Sequence, residues 1–168
     1  KRDLFRSPVG DRATWRPFCL RRAMNPQSEQ SLGYHSVLIV EDDRAVRESL
    51  KFSLVIEGFA VRVYADAEQL LAEPLLPKFD CLIVDQNMPG MNGLDLVSEL
   101  RARNVDAPAI LITSHPGRSV RDQAAAAGIS IVEKPLLNSL IEHVRDTVSA
   151  AAEKQSNNAT ANLSRKKT

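Results

Sequence analysis

Leu82-Ile83-Val84-Asp85-Gln86-Asn87-Met88-Pro89-Gly90 is the stretch on which the reading of this chain turns. Strand-forming apolar residues deliver one aspartate to a point where Pro89 and Gly90 turn the chain, and a helical pattern opens near Gly93. A carboxylate at the carboxyl end of a buried strand stands where open α/β sheets build their sites. Asp85 is therefore the expected chemical centre, with other strands bringing it partners.

Working outward, similar units flank this stretch on both sides. Val37–Val40 is apolar without polar alternation, as expected of a strand covered on both faces, and it runs into Glu41-Asp42-Asp43. The pattern then predicts a helix to about Glu57, with Val46, Leu50 and Leu54 on one stripe and Gly58 as its stop. Ala60–Tyr64 reads as a second strand and Ala67–Ala72 as a short helix before Pro74. Cys81–Asp85 is the third strand, and Leu94, Val97 and Leu100 mark the third helix. Ala109–Thr113 is a fourth strand, Ser119–Ala127 an alanine-rich helix stopped by Gly128, and Ile129–Val132 a fifth strand followed by Glu133-Lys134-Pro135. The last helix carries Leu137, Leu140, Ile141, Val144 and Val148 at helical spacing, most simply core packing against its own sheet. Such alternation predicts an α/β domain with a parallel sheet, helices on both faces and right-handed crossovers.

The chain has 168 residues, the length of one domain with flexible ends. Residues 1–35 hold seven Lys/Arg against three acids, and residues 153–168 hold four against one, leaving residues 36–152 with 11 basic and 17 acidic side chains, net −6. An acidic body argues against a broad nucleic-acid surface and leaves only weak polyanion contacts to the basic ends. Residues 1–35 lack a period and are expected to be disordered, 36–152 to form the domain, and 153–168 to be a flexible tail. Met24 is expected to be the natural start, with 1–23 an added or mis-started segment, an expectation that a native mass including Trp15 would refute. Cys19 and Cys81 form no disulfide framework or CxxC pair, and no apolar run has the length of a membrane span or of a secretory signal. A cytoplasmic protein is expected, so the triplets at Asn158 and Asn162 are read as chance glycosylation matches.

The polar residues of interest all fall at the carboxyl ends of strands: Glu41 and Asp42 after the first, Asp85 on the third, Thr113 on the fourth and Lys134 after the fifth. In a parallel sheet these ends share one edge. Three crowded carboxylates repel one another and call for a cation, and oxygen-only ligands facing solvent favour Mg²⁺. A lysine and a hydroxyl complete a site for an anion with three peripheral oxygens. Asp85 is then a nucleophile toward phosphorus, giving an acyl phosphate, a reaction that asks mainly for placement and charge neutralisation.

These motifs carry a resemblance. Val37-Leu38-Ile39-Val40-Glu41-Asp42-Asp43, Asp85-Gln86-Asn87-Met88-Pro89-Gly90-Met91-Asn92-Gly93, Thr113 and Lys134-Pro135, in that order, resemble the receiver domain of bacterial two-component response regulators, over residues 36–150. The resemblance implies a flavodoxin-like fold with strand order 2-1-3-4-5 and Asp85 as acceptor of a phosphoryl group from a histidine kinase or phosphotransfer protein. It implies Mg²⁺ held by Asp42, Asp85 and the Asn87 backbone carbonyl, with Glu41 acting through a water, and Thr113 as switch hydroxyl beside Lys134. It further implies a phosphorylation-dependent protein contact as output, an unidentified downstream protein partner and no enzymatic turnover of external substrates; a homodimer stays open. Two positions depart from the family: Asn92 stands where Asp is common, and Ile131, three before Lys134, replaces the aromatic that swings inward. His115, two past Thr113, borders the phosphoryl position in the family and is expected to tune the lifetime of the acyl phosphate.

Blander roles exist for each residue alone: a capping carboxylate for Asp85, a solvated loop lysine for Lys134, a β-branched strand residue for Thr113, an ordinary loop histidine for His115. Charged groups clustered at one edge favour the functional set for the first three. Two other functions fit parts of the pattern. One is the receiver of a DNA-binding regulator continuing beyond residue 168; the expectation is instead that residues after Ala152 are too few and too polar for an output domain. The other is a Mg²⁺-dependent aspartyl-phosphate hydrolase, which would need a second aspartate where Asn87 stands.

Overall fold

A computed structural model describes residues 35–136 and 139–165, with side chains described through Glu153. The expectations for residues 1–34, including Cys19 and Met24, and for Leu137 lie outside the described residues. Ten elements follow one another: β1 (Ser36–Val40), α1 (Arg44–Ile56), β2 (Ala60–Tyr64), α2 (Ala67–Leu71), β3 (Cys81–Asp85), α3 (Gly93–Ala102), β4 (Ala109–Thr113), α4 (Arg118–Ala126), β5 (Ser130–Glu133) and α5 (Ser139–Arg165). The five strands are parallel in the order β2-β1-β3-β4-β5.

The apolar strands are covered on both sides. Leu38, Val40, Leu82, Val84 and Leu111 face the layer of α2, α3 and α4, meeting Leu70, Leu96, Leu100 and Ala124. Val37, Ile39, Ile83, Ile110 and Ile112 face the opposite layer, meeting Leu50 and Leu54 of α1 and Leu140, Val144 and Val148 of α5. Successive strand side chains point to opposite faces, so these uninterrupted apolar runs supply both cores at once. Each fully buried Val, Leu or Ile contributes roughly 1.5–3 kcal/mol.

The helix stops act as read. Gly58 and Gly128 take φ of +89° and +64° immediately after α1 and α4, a conformation glycine adopts without steric cost. The last helix departs from expectation, running to Arg165 instead of giving way to an unperiodic tail at Ala151. Among the residues with described side chains Val148 is the last buried apolar one, and the sequence beyond it carries no apolar period. Ala150–Ala152, Glu153, Lys154 and Gln155 are instead strong intrinsic helix formers.

Candidate functional site

Register explains why residues far apart in sequence meet. Val40 pairs with Val84, which brings Glu41 level with Asp85; Asp85 pairs with Ile112, which places Thr113 one step beyond; and Thr113 pairs with Glu133. The Lys134 N–H extends that ladder by donating to the Thr113 carbonyl at 2.8 Å. The strand order reverses between β1 and β3, where α/β sheets open a crevice at their carboxyl edge.

The three consecutive acids have three different surroundings. Glu41 is 1% exposed, and Lys134 donates to both its oxygens, at 3.0 and 3.3 Å. Asp42 is exposed at the mouth of the site. Asp43 caps α1, accepting the Ala45 and Val46 N–H groups at 2.7 and 3.1 Å, and these bonds hold its carboxyl below the usual aspartate value. Of the trio, only Glu41 and Asp42 turn to the site. Oxygens of Glu41, Asp42 and Asp85 lie within 4.8 Å of one another.

Asp85 is 4% exposed and paired with Lys134 at 3.1 Å. Its other oxygen accepts the Asn87 N–H at 3.2 Å, so the local hydrogen bond of the blander reading coexists with the ion pair. The Asn87 side-chain amide donates to the Thr113 hydroxyl at 3.4 Å, and Thr113 is 1% exposed. Burial pushes the Glu41 carboxyl up; the Lys134 hydrogen bond opposes this and the charge of Asp85 reinforces it. Burial alone would draw the Lys134 ammonium down, but its hydrogen bonds to Glu41 and Asp85 and their charges outweigh that and raise it. His115 is exposed just beyond Thr113, while Ile131 is half-buried in the layer of α2 to α4.

The loop between Asp85 and α3 is held by the turn read at Pro89-Gly90 and by three residues to which sequence reasoning gave no holding role. Gly90, at φ +78°, makes the turn after Pro89. Asn92, read only as a departure from the family, caps α3 by accepting the Asp95 N–H at 3.0 Å; its pairing with Asp95 three residues on is the signal that could have revealed this. Gln86 accepts the Leu94 N–H at 3.2 Å through its side chain. Gly93 seats α3 directly on the end of β3, where an added Cβ would lie 2.6 Å from the Asp85 carbonyl oxygen and 2.7 Å from Leu111. Gly93→Ala is expected to destabilise the chain by roughly 1–3 kcal/mol, the cost of forcing extra volume into a packed site. A urea midpoint unchanged from wild type would refute this.

The donor set suits a hard divalent cation: carboxylate oxygens at a solvent-facing sheet edge, with no thiol or imidazole among them. Sheet order, crossovers and acidic edge together define a flavodoxin-like α/β protein with its polar site at the strand reversal. The model of the response regulator receiver domain matches residues 37–145, and the chain belongs to that family. Such domains act in two-component systems, with phosphorylation and Mg²⁺ typical of the family.

Among relatives, the transcriptional regulatory protein FixJ of Rhizobium meliloti is 35% identical over 108 residues, covering 64% of this chain and 53% of FixJ. The C4-dicarboxylate transport transcriptional regulatory protein DctR of Rhodobacter capsulatus is 36% identical over 121 residues, covering 70% and 61%. The chain thus spans about half the length of the curated relatives it matches. The crystal structure of FixJ-N aligns with a TM-score of 0.62 at 32% identity, covering 71% of this chain and 96% of that one. The chemotaxis protein CheY4 of Vibrio cholerae aligns at 0.64 and 25% identity, covering 68% and 99%. Among the described residues no helix is long and apolar enough to cross a membrane.

Proposed function

We propose that this chain is a phosphorylation switch that receives a phosphoryl group on Asp85 from a histidine kinase or phosphotransfer protein and passes the signal through a changed protein-contact surface. The observation that carries this reading is the buried Asp85 carboxylate, 3.1 Å from the Lys134 ammonium and beside an acid pair at an open sheet edge. A Asp85 oxygen attacks phosphorus, the bond to the donor breaks, and the donor leaves with the electron pair. Lys134 offsets charge on the phosphoryl oxygens, and the Thr113 hydroxyl donates to one of them. Asp42, Asp85 and the Asn87 carbonyl, with Glu41 through a water, are the proposed holders of Mg²⁺. When bound, the ion supplies neutralisation of the charge that three carboxylates and a phosphoryl group would otherwise accumulate.

The switch is a population shift: a phosphoryl group on Asp85 favours an inward Thr113, and the β4–α4 loop and the surface around β5 follow. The Thr113 hydroxyl accepts the Asn87 amide, which leaves its own proton free to donate to the phosphoryl group. Ile131 replaces the aromatic readout with an aliphatic one. His115 is proposed to set the lifetime of the acyl phosphate; an unchanged dephosphorylation rate in His115→Ala would overturn that role. This reading places the protein in the cytoplasm, as a switch without turnover of external substrates. Output by protein contact competes with output through an adjoining domain, as the greater length of the relatives suggests. The coding sequence after Thr168 decides between them, a stop favouring the first and an encoded output domain the second.

The test is intact mass after incubation with acetyl phosphate, with and without Mg²⁺. An acid-stable, base-labile gain of one phosphate that requires Mg²⁺ is expected. No gain under either condition would leave a receiver fold used for phosphorylation-independent binding and overturn the proposal.

A further inference from the structure

Arg47 lies on the first turns of α1 but makes its contacts outside the helix. Its guanidinium donates to the backbone carbonyl of Glu41 at 2.5 Å and to that of Asp42 at 3.1 Å. Those two carbonyls belong to the peptide groups immediately before and after the Asp42 Cα. Holding both groups fixes the two backbone torsions of Asp42, and with them the direction in which its side chain leaves the backbone. The sheet does not provide this restraint, because the pairing of β1 with β3 ends at Val40 and the Glu41 N–H makes the last bond to β2, at the Tyr64 carbonyl. Beyond Asp42 the chain is fixed again by Asp43, which caps α1. Asp42, the exposed acid of the site, is thus held at a junction where a side chain does the work of the sheet ladder.

We propose that Arg47 is a positioning residue for divalent cation binding, clamping the two peptide groups that flank Asp42 so that its carboxylate projects into the acidic site. This rests on the reading of Glu41, Asp42 and Asp85 as a cation site. Charge and geometry make opposite predictions here, which gives the proposal its test. A guanidinium near a cation repels it, so if charge alone mattered, removing Arg47 would tighten Mg²⁺ binding. If Arg47 acts by positioning, removing it weakens binding, since losing a group that orients a metal ligand typically costs about 10–100-fold in affinity. The lost repulsion offsets part of this, so about tenfold is expected.

The experiment is a titration with Mg²⁺ alone, followed by amide chemical shifts, on the full chain as wild type, Asp42→Asn, Arg47→Ala and Arg47→Lys. Arg47→Ala is expected to bind Mg²⁺ about tenfold more weakly, and Arg47→Lys, which keeps the charge but ends one bond short of the single guanidinium nitrogen that makes both bonds, to fall between it and wild type. With acetyl phosphate, Arg47→Ala should need about tenfold more Mg²⁺ for its half-maximal rate yet reach the wild-type rate at saturation, a split that general loss of structure would not produce. Wild-type or tighter affinity in Arg47→Ala overturns the proposal while leaving the cation site intact. No binding by wild type, or undiminished binding by Asp42→Asn, overturns the cation-site reading itself. If Arg47→Ala does not fold, Arg47→Lys decides: wild-type affinity in that variant overturns the proposal, and weakened affinity with an unchanged melting temperature supports it.

Discussion

Asp85→Asn is expected to gain no phosphate from acetyl phosphate under conditions in which wild type gains one, while keeping its fold. Asparagine has nearly the shape of aspartate, and its carbonyl oxygen can still accept the Asn87 N–H that Asp85 now accepts at 3.2 Å. Lys134 keeps both oxygens of Glu41, so no buried charge is stranded. What disappears is the anionic nucleophile, because a carboxamide oxygen does not form a stable acyl phosphate. The effect on phosphorylation should be all or none, with a melting temperature within a few degrees of wild type. Intact mass and a thermal melt check the two halves. A base-labile phosphate on the variant would move the acceptor elsewhere and defeat the central reading.

Lys134→Met is expected to be the most destabilising of the site substitutions. Its ammonium is shared by Glu41, at 3.0 Å, and Asp85, at 3.1 Å, and those side chains are 1% and 6% exposed. Removing it leaves two buried carboxylates facing each other without a counter-charge. Breaking a buried pair from one side costs about 3–5 kcal/mol, and the low end applies because the Lys134 side chain is 22% exposed, giving roughly 3 kcal/mol at neutral pH. The folded state raises the lysine above its ordinary value, so the stability it contributes is complete below that value, near 10.4. It is lost as pH rises through the raised value, because the unfolded chain releases its proton first. Urea titrations in metal-free buffer should therefore show a larger alkaline loss of stability in wild type than in Lys134→Met, which keeps only the loss due to groups such as the buried Cys81 thiol. Equal stability of the two proteins at neutral pH would refute the shared-ammonium account.

Most of the scaffold is legible in the chain because the physics that sets it is local. Val37–Val40, Cys81–Asp85 and Ala109–Thr113 are unbroken apolar runs of strand length, and Gly58 and Gly128 end helices where a left-handed residue is needed. The extension of α5 to Arg165 escaped because propensity rather than periodicity sustains it. The capping role of Asn92 is less legible, because it depends on the rotation of its side chain toward the Asp95 N–H.

Residue type and spacing set the alternation of strands and helices, and thereby the gathering of Glu41, Asp42, Asp85, Thr113 and Lys134 at one sheet edge. Parallel strands all present the same end to that edge, so position within each strand suffices. How those residues divide their work comes from packing. Glu41, Asp42 and Asp43 are three neighbouring acids in sequence, but the strand-to-helix junction sends one to Lys134, one to the mouth and one to the start of α1. Arg47 reaching across that junction and Gly93 lying against the Asp85 carbonyl are likewise products of packing. Side-chain direction at a junction depends on backbone torsions and neighbouring helices, and neither is written in residue type or spacing.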